Sequence, residues 1–546
     1  MADETIATGG PPGGHGASPP RRRLALNTAI FALATGLSRV AGLLREVVAA
    51  SYFGTQVEGS AFTIASQIPN LMSNLFAQAA LSAAFVPVFT DLLQQGRKRE
   101  AFKLASTLFW IILIALGALT AIGILAAGVI MPLFTGTSFN AAANALTVGL
   151  AQVMFPVVLL LGMTGLLVGI LQSYDEFSIP ALAPAVWNLV ILVLLVALRG
   201  AFQSHRGVYA YAVAWLVATV VQLLLVASAL RRIDFRLTIN VDWHDPRIRQ
   251  VFALMLPVTL GLGIINLDQI LNSVFGTLVN DQAPRAIDNA FRIYMLPQGI
   301  FSVAVATVLF PTLSRQASRR DPDAIRRAVA NGLRQINLLL IPAAAILIVL
   351  ATPITRLVFQ RGQFNAESTH LVSIALFWFA FSLPFGGVNL LLTRTFFAVQ
   401  RPWIPTRLAV VNLIVGTFLD AVLYLPFGIG GLVLGTAVAN AVQTMLLLWR
   451  LRIGLGGRLE GRQTLETTIR VAAASAVMAL VALGVWAAVD WVVGRSLVGQ
   501  LVSVGLALLV AGSVYALAVL GMGIPEARQI EELVRTRLGG RGASAV

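Results

Sequence analysis

Two arginines and a glutamate stand inside the apolar run SRVAGLLREVVAASYFG, residues 38–54. Arg39, Gly42 and Glu46 share one helical face at i, i+3, i+7 spacing, and Arg45 adjoins it. A charge at the centre of a bilayer costs roughly 2.5–3.5 kcal/mol on insertion scales, so it persists only where protein or water receives it. Arg45 and Glu46 could snorkel to an interface, whereas Arg39, about 15 residues into the span, is poorly placed to do so. Further along, Asp288 and Arg292 are spaced i, i+4, which suits pairing with each other or binding of a ligand.

A second chemistry-bearing pattern follows at once. Ser60, Thr63, Gln67, Asn70, Asn74 and Gln78 fall at steps of three and four, a polar stripe down one helix. In lipid such a stripe must face protein or water, so it predicts either interhelical hydrogen bonds or a wet cavity. Asp268, one turn before Asn272, and Asp420 lie within apolar segments. Buried carboxylates of this kind hold Na⁺, carry protons or hydrogen-bond a neighbouring helix.

Other chemistries are missing from the sequence. It has four histidines without metal-binding spacing, no cysteine, no Walker A sequence and no nucleophile elbow. His370 reads as a polar residue at a helix end. We therefore expect no enzyme and no bound cofactor. Without a nucleotide site, transport would draw on Na⁺, a proton gradient or the substrate's own gradient.

The elements that must position these residues are membrane helices. The chain of 546 residues is 57% hydrophobic and only 12% charged, with mean hydropathy +0.82. Soluble domains carry roughly 25% charged residues. Breakers separate fourteen expected spans, starting near Leu24, Gly59, Ala101, Ala143, Ile179, Gly207, Arg247, Pro284, Asp323, Ser368, Ile404, Ile429, Thr464 and Ser496. The net charge of +15 gathers in alternate loops such as QQGRKRE and SRQASRRDPDAIRR. That is the positive-inside pattern, not a nucleic-acid surface, and it predicts both termini in the cytoplasm.

An internal repeat recurs at an offset of about 224 residues. Phe85-Val86-Pro87 answers Leu309-Phe310-Pro311, and each is followed by a basic loop. Ile179-Pro180 answers Ile404-Pro405, and Asn188 answers Asn412 with one gap. Six spans separate the copies, so the repeats are parallel. The expected fold class is an all-α polytopic membrane protein, two six-helix lobes related by a parallel pseudo-repeat plus two C-terminal helices. The expected division is a disordered cytoplasmic segment 1–23, an N-lobe 24–231, a cytoplasmic linker 232–246 and a C-lobe 247–452. The last two helices occupy 453–523 and a cytoplasmic tail 524–546.

The opening stretch, together with IPNLMSNLFAQAALSAAFVPVFTDLL, YDEFSIPALAPAVWN, LFPTLSRQ and LVFQRGQFNAEST, resembles the MurJ/MviN family of lipid II flippases within the MOP exporter superfamily. The resemblance covers roughly residues 24–455, and the last two spans more loosely. It implies a V-shaped pair of lobes, a lipid-accessible groove from the two extra helices, and alternating access. The cargo it implies is the undecaprenyl-pyrophosphate-linked peptidoglycan precursor, moved from the cytoplasmic to the periplasmic leaflet of the bacterial cell membrane. Arginine suits that cargo because its planar fork matches phosphate oxygens.

By that resemblance Arg39, Arg45, Glu46 and Arg292 are substrate-binding, joined by Asn70, Asn74 and Gln78 of the stripe. Asp420 and Thr436 match positions of a monovalent cation site in some members, with Asn272 at an acid position and Asp268 as its substitute. The chain also departs from the pattern. Ser73 and Asn74 stand where many members have bases, Gln78 and Ser60 where they have acids, Met295 for an eighth-helix acid and Gly416 for an asparagine. Acids and bases are lost together, which preserves neutrality in that part of a cavity or marks a different cargo. The alternatives are another polyprenyl-linked glycan, a cation-coupled exporter of small molecules, and a non-transporting scaffold for cell-wall synthesis proteins.

Overall fold

The computed structural model describes residues 21–72, 80–198, 200, 207–233, 235, 237–238, 242, 245–319, 321–456 and 460–528. Most of the N-terminal segment and of the tail lie outside these residues, as do Ser73, Asn74 and Gln78. In hydrocarbon each backbone N–H and C=O must be bonded within its own segment, and the described chain is built from helices.

The first half comprises α1 (Arg21–Phe53), α2 (Val57–Met72), α3 (Ala80–Gln94), α4 (Lys98–Ile130), α5 (Ala141–Met154), α6 (Pro156–Ser173), α7 (Ser178–Leu198) and α8 (Gly207–Ala229). The second comprises α9 (Pro246–Val279), α10 (Ala283–Pro297), α11 (Val303–Ser318), α12 (Pro322–Val349), α13 (Ala351–Phe359), α14 (Ala366–Ala398) and α15 (Trp403–Gly454). α16 (Gly461–Val493) and α17 (Leu497–Gly521) follow. Side chains cap several starts: Asn140 accepts from Ala143 N, Asp321 from Ala324 N, Asn365 from Ser368 N and Ser496 from Gly499 N.

Ten units are long and apolar enough to span a membrane. Counting the two arms of α15 separately, and adding α1, the α2–α3 pair and α9, gives fourteen crossings among the described residues. Two crossings are broken where the sequence suggested single helices. α5 passes to α6 at Pro156, and α10 passes to α11 through a π-turn at Gln298–Ser302. α15 reverses at Gly428, whose φ of 54° and ψ of −133° favour glycine. The short helix α13 was not anticipated.

Helix pairing repeats between the halves. α1 packs on α7 as α9 packs on α15; α2 packs on α5 as α10 on α14; α4 packs on α6 as α12 on α14. The molecule is thus two six-span lobes in parallel repeat, with α16 and α17 appended. The first lobe has two separate apolar cores, one around Phe62, Tyr211 and Trp215 and the other around Phe85, Phe89 and Leu171. The second has one continuous core, including Ile336, Leu340, Phe379, Leu383 and Leu391. α16 and α17 dock on the second lobe through Leu338, Val471, Leu350 and Met478. Arg334 of α12 secures that junction, donating to Glu460 at 2.9 Å and to Glu526.

Candidate functional site

Four helices from both lobes converge on a cavity of about 590 Å³, lined by α1, α2, α9 and α10 with α7 and the π-turn at its sides. Arg39 and Asn70 are exposed at its mouth, whereas Arg45, Glu46, Thr63, Ser66 and Ser273 are buried at its deep end. Gly299 of the π-turn allows Arg39 to cross the mouth. A Cβ at Gly299 would sit 2.4 Å from Arg39 Nη1.

The deep end is an ion network that joins the lobes. Glu46, 1% exposed, accepts from Arg45 Nε at 3.1 Å, from Tyr211 Oη at 3.1 Å and from Arg285 Nη2 at 3.3 Å. Its Oε2 is also 3.4 Å from Arg292 Nε. Asp288 Oδ2 in turn accepts from Arg292 Nε at 3.0 Å and Arg285 Nη1 at 3.2 Å. The Arg45 guanidinium lies 5.0 Å from the Trp187 ring centre and 5.6 Å from that of Trp215, so ring faces replace water on its flanks. With Arg39, four arginines face two carboxylates, an excess of positive charge.

Of the residues singled out in the sequence, the structure brings Arg39, Arg45, Glu46, Asn70 and Arg292 to this one cavity. It forms the Asp288–Arg292 pair as well and links it to Glu46. Asn74 and Gln78 lie outside the described residues. The upper stripe of α2 divides its work: Ser60 Oγ accepts from Arg285 N at 3.4 Å, Gln67 donates to Ser273 of α9, and Asn70 stays open to the cavity.

Sequence reasoning missed Arg285, Tyr211, Trp187 and Trp215. Arg285 did carry a signal, since it precedes Asp288 by three and Arg292 by seven on the same helical face. The aromatic residues carried none.

Beyond Glu46 and Arg285 the cavity is sealed by contacts between the lobes. Gln363 N donates to Ser51 O at 2.8 Å, and Thr55 Oγ1 meets Ser368 Oγ at 2.8 Å and donates to Gln282 Oε1 at 2.8 Å. Gly54 and Gly362, at φ of 56° and 59°, make the approach possible. A Cβ on Gly54 would lie 2.7 Å from Gln363 O, and one on Gly362 2.2 Å from Ser51 O. Gly136 N donates to Thr277 Oγ1 at 2.7 Å on the same end.

The second polar group sits between α9 and the two arms of α15. Asn272 Nδ2 donates to Asp268 O at 3.1 Å, and Thr436 Oγ1 donates to Asn272 Oδ1 at 3.4 Å. Asp420, 1% exposed, lies against Gly435, where a Cβ would fall 2.6 Å from its Oδ1. That oxygen is buried without a hydrogen-bond donor. Among the described residues no three His, Cys, Asp or Glu side chains gather to hold a metal ion.

Comparison with known proteins agrees with this architecture. The profile of the lipid II flippase MurJ family matches residues 49–502. The chain is 31% identical over 428 residues to the lipid II flippase MurJ of Burkholderia cenocepacia, covering 77% of this chain and 82% of that one. It is 29% identical over 435 residues to the probable lipid II flippase MurJ of Bdellovibrio bacteriovorus, covering 79% and 83%. A solved lipid II flippase MurJ in an inward closed conformation superposes with TM-score 0.73 at 22% identity, covering 89% of this chain and 98% of that one. An inward-facing multidrug-resistance MATE transporter of the MOP superfamily superposes with TM-score 0.65 at 16% identity, covering 78% and 94%. Matching four-fifths of its length to the family profile, the chain belongs to the MurJ lipid II flippase family.

Proposed function

We propose that this chain is a multi-pass protein of the bacterial inner membrane that moves lipid II from the cytoplasmic to the periplasmic leaflet by alternating access. The observation that carries the reading is the excess of arginine over carboxylate at the closed end of a cavity shared by two lobes. A pyrophosphate brings the negative charge that this end lacks, and arginine forks bind its oxygens in pairs. Arg39 at the mouth meets it first, and Arg292 and Arg45 receive it deeper. Asn70 and the polar face of α2 take the sugars. The polyprenyl tail stays in lipid, which keeps the apolar cost of transfer off the protein.

The basic loops support an orientation with both termini in the cytoplasm. On that topology the seal at Thr55, Gln282 and Ser368 lies on the periplasmic side and the Arg39 mouth faces the cytoplasm. The lobes would be residues 24–231 and 247–452, rocking about this seal. Asp420, with Asp268, Asn272 and Thr436 nearby, supplies oxygens suited to a monovalent cation or a proton and is our candidate coupling site. Cell-wall synthesis proteins are the partners such a cargo implies.

The test is expression in cells depleted of their own flippase, with surface exposure of precursor as readout. The wild-type chain restores exposure, and Arg39→Ala and Arg292→Ala reduce it at least about tenfold while inserting normally. A correctly inserted wild-type chain that restores nothing sinks the proposal. A polyprenyl glycan other than lipid II is then the next cargo to assay.

A further inference from the structure

A second cationic pocket, sharing no lining residue with the central cavity, lies where α13 and the start of α14 meet the turn between α16 and α17. It holds about 240 Å³ and is lined by Arg356, Gln360, Thr369, His370, Arg495 and Gln500. No carboxylate lines it. Of the nearby acids, Glu367 accepts from Gln282 Nε2 at 3.1 Å, and Asp490 flanks the pocket at 3.7 Å from Arg495 Nε. The Arg356 guanidinium has no hydrogen bond or ion pair among the described residues. The pocket's frame is held by its own polar groups. Thr369 Oγ1 donates to Gln360 Oε1 at 3.0 Å, and Gln500 Nε2 donates to Arg495 O at 2.9 Å.

Its depth is set by the ends of four elements. α12 stops at Val349, α14 starts at Ala366, α16 stops at Val493 and α17 starts at Leu497. Trp491, 88% exposed one turn before Arg495, stands where aromatic belts meet the headgroups. Val498 and Leu501 of α17 are exposed apolar side chains below it.

We infer that this pocket binds the phosphate of a membrane lipid, with the lipid's hydrocarbon lying along α17. Two guanidinium groups and an imidazole converge against a single flanking acid, Asp490, which reaches only Arg495, so a phosphate oxyanion is the complementary charge for Arg356 and the open side of Arg495. The apolar wall continuing into the bilayer selects a phosphate that carries a chain over one free in water. The phosphodiester of a glycerophospholipid and the terminal phosphate of a polyprenyl carrier share this chemistry.

The experiment uses the purified full-length chain in detergent and native mass spectrometry, with thermal unfolding as a second readout. The probes are phosphatidylglycerol, a polyprenyl phosphate, inorganic phosphate and uncharged diacylglycerol. We expect one or both phosphate lipids to bind, and occupancy to fall about tenfold in Arg356→Gln/Arg495→Gln. Those side chains are exposed or half-buried, and an unchanged unfolding midpoint without lipid shows that the double variant is folded. Diacylglycerol shows no such difference. Which lipid binds identifies the source of the phosphate. Equal lipid occupancy in wild type and double variant overturns the proposal. So does binding of inorganic phosphate alone. Arg39→Ala is the control for the central cavity: binding lost there and kept in the double variant would place the phosphate in the wrong site.

Discussion

Two polar groups are buried in the apolar spans, and they meet the cost of burial in opposite ways. At the end of the central cavity, Arg45, Arg285 and Arg292 interlock with Glu46 and Asp288, and every carboxylate oxygen used there faces a guanidinium. Between α9 and α15 there are acids and amides but, among the described residues, no base in contact and no donor to Asp420 Oδ1. Paired ions fix a geometry, because removing one partner strands the other in low dielectric. An unpaired buried acid does the reverse. It is tolerated only with a proton or a cation, which makes it responsive to what arrives. On the proposed function, the first group presents a constant positive field and the second changes state.

Substitutions can break or sharpen that contrast. Glu46→Ala leaves Arg45 without a carboxylate and Arg285 and Arg292 with Asp288 alone, and loss of one member of a buried pair costs about 3–5 kcal/mol. Thermal unfolding in detergent should show the largest drop of the set here, with translocation abolished. A drop under 1 kcal/mol would mean that water already screens the network.

In the second group Gly435→Ala drives a methyl into Asp420 and should cost about 1–3 kcal/mol by overpacking. Denaturation midpoints check this. Tyr211→Phe removes a single bond to Glu46 and should cost about 0.5–1.5 kcal/mol, with Arg45 still held. An effect as large as that of Glu46→Ala would show that Tyr211, and not the arginines, anchors the carboxylate.

The smallest stability change should come from Asp420→Asn, within about 0.5 kcal/mol of wild type, because no partner is stranded. Its effect belongs to coupling instead. Translocation in vesicles should lose its dependence on Na⁺ or on the proton gradient. If the dependence survives in the variant, Asp420 is a structural acid and the contrast collapses.

Charge in an apolar run is easy to read because it is expensive there, which is why Arg39, Arg45, Glu46 and Arg292 stood out. Arg285 escaped because it follows Pro284 at the start of a span, where a base looks like a loop residue. Trp187 and Trp215 escaped because aromatic residues are ordinary in membrane helices. Their use as a cradle for Arg45 depends on α1, α7 and α8 meeting at one point. Gly299 and Gly362 were just as silent, since what they make room for, Arg39 and Ser51 O, belongs to the other lobe.

The repeat shows the same boundary. Asn188 and Asn412 were matched by position, but they do different work. Asn188 donates to Pro184 O at 3.0 Å and reaches Ser38 on α1, whereas Asn412 donates to Gln443 Oε1 at 3.0 Å within α15.

Hydropathy, breakers and loop charge are local quantities, so the sequence alone determined the spans, their expected orientation, the parallel repeat and the helices that carry charge. Which charges touch is not local. Arg285 and Glu46 are 239 positions apart, and no spacing rule reaches across that interval. Only the packing of one lobe against the other decided that Glu46 gathers three arginines while Asp420 is left without a donor, because in a low-dielectric interior a few ångströms separate a neutralised ion from an orphan.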